Sequence, residues 1–166
     1  MRALEAVAVG ERVYVDETGC DDRLQREYGW SERGERCFDR RAGHASERFS
    51  VVSAWQAGRG LVAPLSFSGT CHHRLFELWL RVMLCPCLRK GQVVILDNAR
   101  FHRPKAVQRI LKRVGCRALF LPAYSPDLNL IENQWHAFKT RVCTHRLKGT
   151  NLKEAVDAAM VESIRS

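Results

Sequence analysis

Three acidic residues stand where apolar segments of the chain give way to polar ones. Asp16 closes the alternating run RVYVD, Asp97 follows the four apolar residues VVIL, and Glu132 lies beside the apolar stripe of a later helical segment. In open α/β sheets, chemistry sits outside the carboxyl ends of the strands. If folding gathers the three carboxylates within a few ångströms, they repel one another unless cations fill the space between them. Three carboxylates at about −3 against two Mg²⁺ at about +4 come close to neutrality, and oxygen ligands are those Mg²⁺ prefers. Two such ions, about 3.5–4 Å apart, clamp the attacking and leaving oxygens of an in-line phosphoryl displacement. The longer arm of Glu132 suits a ligand that reaches in from a neighbouring helix. Position alone leaves the question open. Eighteen Asp and Glu residues allow many triples, and a strand-end aspartate commonly does no more than close a turn.

The elements that must position these residues follow from hydrophobic periodicity. Residues 12–16 alternate as a strand and stop at Asp16-Glu17-Thr18-Gly19, a turn. From Cys20 to Cys37 the chain is polar and Gly-punctuated, which suggests a hairpin arm or an irregular second strand. Residues 48–55 and 61–67 flank Gly58-Arg59-Gly60 and read as an antiparallel hairpin extending the first strand. Over 72–88 the spacing predicts a helix burying Leu75, Phe76, Trp79, Val82 and Met83, broken near its end by Pro86. Residues 93–96 form a central strand apolar on both faces of the pleat. Pro104 opens a helix that buries Val107, Ile110, Leu111 and Val114, with Gly115 closing it. Residues 117–121 are a further strand, stopped by Pro122. A loop through Tyr124, Ser125 and Pro126 leads to a helix with Ile131, Trp135, Phe138 and Val142 on one face. Asn151 with Glu154 three residues on forms a capping box for a last helix burying Leu152, Val156, Ala159 and Met160. The order is that of an α/β fold built as one domain over residues 1–166, with a mixed five-stranded sheet flanked by helices.

Net charge is +9 and the pI about 9.6, so the surface attracts polyanions. The basic residues are dispersed, as on a broad phosphate-facing surface. Seven cysteines cannot all pair within one chain, and no Cys-x-x-Cys occurs. With no signal-peptide core and no apolar run near the ~20 residues of a membrane span, a reduced, cytoplasmic, nucleoid-associated setting without membrane contact is expected. Cys71-His72-His73 and Cys85-Pro86-Cys87 lack the spacing of a zinc knuckle, and buried thiols are the expectation there.

Three stretches carry a resemblance. VDETG at 15–19, LDNARFH at 96–102 and LPAYSPDLNLIENQW at 121–135 resemble the signature blocks of DDE transposase catalytic domains. The likeness is to the mariner superfamily and its bacterial insertion-sequence branch. It runs from about Val13 to Arg146, and YGWS with Arg33-Gly34 resembles that branch's second-strand pattern. Between Asp97 and Glu132 lie 34 residues, a separation similar to that of the group. The resemblance implies a ribonuclease-H-like fold, with Asp16, Asp97 and Glu132 as catalytic and metal-binding triad. It implies two Mg²⁺ or Mn²⁺ ions as cofactor, Asp16 bridging both, and transposon ends and target DNA as partners. It further implies water-driven cleavage freeing a 3′-OH that attacks target DNA at a TA step, without a covalent protein intermediate. Leu130 stands where the family usually has proline. The helix-turn-helix region that normally recognises the ends is expected to be absent, so a homodimer or a separate helix-turn-helix chain is expected to supply end recognition.

Around the triad, Arg100, Arg103 and Lys105 are suited either to DNA phosphate contacts or, each individually, to solvated surface charge. Asn98 is suited either to orienting a water or phosphate oxygen or to closing its turn. His102 is suited either to the scissile phosphate or to capping the next helix. Tyr124 is suited either to shaping the groove beside the metals or to a plain surface turn, and Trp135 reads as core rather than as a base-stacking platform. Two rival functions share these features: a ribonuclease-H-like nuclease or resolvase without strand transfer, and a decayed or domesticated remnant that only binds DNA.

Overall fold

The structure, a computed structural model, describes residues 2–24, 33–34, 47–122 and 128–165. The expected arm around YGWS and the loop carrying Tyr124, Ser125 and Pro126 lie outside the described residues.

Five strands form one mixed sheet in the order β3-β2-β1-β4-β5. They are β1 (Arg12–Asp21), β2 (Arg48–Gln56), β3 (Gly60–Ser68), β4 (Val93–Leu96) and β5 (Arg117–Phe120). β2 runs antiparallel between β1 and β3, while β1, β4 and β5 are parallel to one another. A short α1 (Arg2–Glu5), not expected from periodicity, precedes the sheet. On one face lie α2 (His73–Trp79) and α3 (Pro104–Arg113); on the other lie α4 (Ile131–Leu147) and α5 (Leu152–Arg165). Strand alternation sorts the two cores. Val13 and Val15 of β1 with Val94 and Leu96 of β4 pack toward Phe76, Trp79 and Leu111. Tyr14 with Val93 and Ile95 pack toward Trp135, Phe138 and Val156. Among the described residues no helix is long and apolar enough to cross a membrane.

Three expectations are corrected. β1 does not stop at Asp16 but continues to Asp21, because β2 offers it an unbroken antiparallel ladder from Gln56 to Arg48. The α2 segment passes into a π-helical turn at Leu80–Leu84 and a 3-10 turn at Cys85–Cys87. The extra residue per π turn shifts the buried face onto Phe76, Trp79, Leu80 and Leu84 and leaves Val82 62% exposed. Val114 is the C-cap of α3 rather than part of its buried stripe, and is exposed. The chain then turns through Gly115 at φ 73°, a left-handed position that suits glycine.

β3 carries a bulge where Ala63 adopts φ 52°, beside Pro64, which has no N–H to contribute to a ladder. Ser53 Oγ donates to the Val62 carbonyl (2.9 Å) and Trp79 Nε1 to the Ala63 carbonyl (2.6 Å), so the interrupted backbone keeps partners. The shifted register of α2 is testable by urea unfolding. Trp79→Ala should cost about 3–5 kcal/mol through cavity formation, whereas Val82→Ala should stay within about 0.5 kcal/mol. Comparable losses at both positions would mean that Val82 is buried.

Candidate active site

The sheet is cut away on one side of β1. Pairing of β1 with β4 covers Arg12 to Tyr14, in the register Tyr14↔Ile95. Two residues further on, Asp16 is level with Asp97, just where β4 has ended at Leu96. β1 runs on past this notch, held by β2, with Asp16 opposite Ser53. Three hydrogen bonds close the notch around the acids. Asn129 Nδ2 donates to the Val15 carbonyl (3.3 Å), which β4 no longer reaches. Asn98 Nδ2 donates to the Leu121 carbonyl (2.6 Å), tying the loop after β4 to the end of β5. Trp135 Nε1 donates to Asp16 Oδ2 (3.0 Å) from the first turns of α4.

Glu132 occupies the first turn of α4, exposed, three residues before Trp135 and on a neighbouring face. Leu130, at the position flagged for proline, is an αR N-cap with no side-chain bond, and α4 starts at Ile131 regardless.

Burial is the main cause that pushes the Asp16 carboxyl from 3.8 up to about 7. The charge of Glu132 adds to this, and that of Asp97 adds less; the Glu17 N–H and the Trp135 indole oppose it. The three carboxylates therefore share one electrostatic neighbourhood. Asp97 behaves oppositely. The hydrogen bond from His102, with the Ala99 N–H, holds it below the usual carboxylate range. His102 Nδ1 lies 2.9 Å from Asp97 Oδ1 and 3.2 Å from the Asp97 carbonyl. Both partners are acceptors, so Nδ1 carries the proton. Strand alternation beyond Leu96 would aim Asp97 toward the α4 face; His102 instead holds its carboxylate toward the α2–α3 layer. The His102 ring is wedged between Phe76 and Phe101, with centroids 4.3 Å from each.

The chain thus brings Asp16, Asp97 and Glu132 to one edge of the sheet but does not close them into a cage. Among the described residues, no three His, Cys, Asp or Glu side chains are grouped closely enough to hold a metal ion together. Of the neighbours expected to meet DNA, Arg100, Arg103 and Lys105 are exposed. Asn98 spends its amide on the β5 end. The His102 side chain is 1% exposed, sealed inside rather than displayed. Tyr124 lies outside the described residues. Reading the sequence missed the polar roles of Asn129 and Trp135. The latter looked purely apolar, although its place three residues after Glu132 marks it as a neighbour of the same edge.

Residues 11–152 match the family described as DDE superfamily endonuclease. The chain belongs to that family. No curated protein sequence matches it. Among solved structures, the Mos1 transposase paired-end complex with left transposon end is similar at 18% identity and TM-score 0.61, over 82% of this chain and 43% of that one. The Mos1 strand transfer complex is similar at 16% identity and TM-score 0.62, over 96% and 53%. The catalytic core domain of BIV integrase is similar at 14% identity and TM-score 0.53, over 92% and 82%. At such identities the likeness is one of fold. This DDE endonuclease chain has the ribonuclease-H-like fold of transposase and integrase catalytic cores, and spans about half the length of the Mos1 chains or less.

The acids of this DDE endonuclease chain suit a hard divalent cation in kind, since all their donors are oxygens. Repulsion from two neighbouring carboxylates is the sort a cation relieves. Cys71 and Cys85 are buried, and burial pushes the Cys71 thiol up to about 12.

A raised carboxyl sets the sign of a pH dependence. Asp16 binds a proton in the folded chain, but not in the unfolded one, between about 4 and about 7. Its contribution to stability is therefore complete below about 4 and is lost as pH rises through 7. In EDTA, Asp16→Asn should raise stability at pH 8 by a few kcal/mol and flatten the fall between pH 5 and 7 in urea titrations. An unchanged pH profile in that variant would show that Asp16 is not the titrating group.

Proposed function

We propose that this chain is the catalytic domain of a mariner-type DNA transposase of the bacterial insertion-sequence branch, acting on the nucleoid in the cytoplasm. The observation that carries this reading is Asp16, half-buried within β1 beside the end of β4, its carboxylate bonded by Trp135 and its carboxyl raised to about 7 by burial, Glu132 and Asp97. A protein gains nothing in stability from such a cluster; it is the arrangement expected where chemistry needs it.

Asp16, Asp97 and Glu132 are the proposed ligands for two Mg²⁺ or Mn²⁺ ions. Bound there, these cations supply charge neutralisation and Lewis acidity to an in-line displacement at phosphorus. The chain's own residues do the rest. Trp135 fixes the Asp16 carboxylate by its Oδ2, and the Glu17 N–H bonds the same carboxyl. His102 fixes one oxygen of Asp97, leaving the other open. Glu132, exposed on the first turn of α4, would have to turn inward to join them. Water attacks the phosphodiester at a transposon end and the 3′-oxygen departs as a hydroxyl. That 3′-OH attacks a target phosphodiester, at a TA step, displacing its 3′-oxygen, so one phosphodiester forms as another breaks. No protein-bound nucleic acid forms on the way. Joining two ends in one event calls for a second copy of the chain or a separate helix-turn-helix chain.

In a plasmid-nicking assay, Asp97→Asn should lower cleavage in Mg²⁺ by more than about a hundredfold, since loss of a ligand's supporting partner alone commonly costs 10–100-fold. Folding and duplex binding should stay within about twofold. Nicking at the wild-type rate would exclude the mechanism. Supplying pre-cut ends with free 3′-OH separates transposase from nuclease, because only the former yields joined products.

A further inference from the structure

Beside the Asp97 loop, where α3 begins, lies an open groove of about 660 Å³. Arg100, Arg103, Lys105 and Arg109 line it, against the single carboxylate of Glu77. All four cations are exposed. The Glu77 carboxylate is largely buried; its Oε1 lies 3.8 Å from Arg103 Nη1, and its Oε2 lies 3.5 Å from Arg81 Nη2. Two buried polar atoms among its lining residues, His102 Nε2 and Glu77 Oε1, have no hydrogen-bond partner. Both are acceptors, since Nδ1 carries the His102 proton, so they call for a water's hydrogen and not for an anion's oxygen; what favours an anion is the surplus of exposed positive charge.

We propose that this groove is a DNA-backbone subsite. In it Arg100, Arg103, Lys105 and Arg109 hold two or three successive phosphates of the strand that passes Asp97. The proposal rests on the reading of the chain as a DNA-processing enzyme. Lys105 and Arg109, four residues apart, share a face of α3 and lie about 6 Å apart along its axis. That separation is of the order of one phosphate-to-phosphate step along a single strand, whose backbone carries one charge per nucleotide. Glu77 draws Arg103 across the groove and so pre-places its guanidinium, while leaving a surplus of positive charge for the ligand. The groove is open rather than enclosed, so a single small anion keeps water on one side. A polyanion engages several cations at once and releases the counterions condensed on it. His102, buried beneath the groove, also bonds Asp97, so the groove lies beside the acids. A strand seated here is thereby held in register with the acids.

The test uses the 166-residue chain and a fluorescent duplex in EDTA, with affinity followed by anisotropy as salt rises. The double variant Arg103→Ala/Arg109→Ala should reduce the slope of log affinity against log salt by about two. Its loss of affinity between about 50 and 200 mM salt should then be about tenfold smaller than that of wild type. Lys148→Ala, exposed in the turn between α4 and α5, should leave the slope unchanged. A wild-type slope in the double variant, or an equal change in the Lys148 variant, overturns the subsite. Because no divalent ion is present, that failure leaves the cleavage reading standing. Absence of Mg²⁺-dependent nicking by the wild-type chain would remove the cleavage reading and leave the groove.

Discussion

A carboxylate placed inside a sheet, with two more acids nearby, is the constraint to which the rest of this structure answers. Asp16 is not at a strand end, where water would solvate it, but within β1 beyond the last residue that β4 covers. Removing an ionised carboxylate from water is costly, and such a group shifts its pKa instead. The carboxyl at about 7 is that response. Hydrogen bonds from the Trp135 indole and the Glu17 N–H limit the rise without cancelling it. The site is therefore poised to lose a proton when positive charge arrives, at a modest change in local potential.

Holding the acid there requires segments remote in sequence to meet. The Trp135–Asp16 bond spans 119 positions and the Asn129–Val15 bond 114. They come from the two residues either side of the opening of α4, whose Ile131, Trp135, Phe138 and Val142 are all buried against the sheet. Packing of that apolar stripe thus sets the depth of Glu132 as well. Asn98 binds the loop after β4 to the end of β5, so the two parallel strands deliver their carboxyl ends as a unit. His102 then turns Asp97 aside, and the aromatic pair Phe76 and Phe101 fixes the turning group. Closure around cations would need Asp97 to share its carboxylate between His102 and the ion, and Glu132 to move.

Much of this was legible in the residues. VVIL followed by Asp97, the alternation through Tyr14, and the stripe from Ile131 each pointed to the element that forms, because local periodicity and burial agree there. The capping box was equally legible, and Glu154 N–H does bond Asn151 Oδ1 at 2.8 Å. What escaped depends on distant partners. Glu17-Thr18-Gly19 reads as a turn by composition, yet β2 pairs with it as strand. The π turn at Leu80–Leu84 has no local signature, and it moved Val82 to the surface. Trp135 offered an apolar ring to the eye and an indole N–H to Asp16 in the fold. The groove of Arg103, Lys105 and Arg109 was half visible, as charges near a motif; Glu77, from another helix, was not.

Whether the three acids form one cation-binding site is tested most directly on Asp16 itself. The ¹³C carboxyl resonance of Asp16, followed against pH with and without Mg²⁺, reports its charge without any enzymatic readout. The account predicts a midpoint near 7 in metal-free protein, falling by more than about one unit when Mg²⁺ is added. A midpoint in the ordinary aspartate range, or one near 7 that Mg²⁺ leaves unmoved, would contradict it.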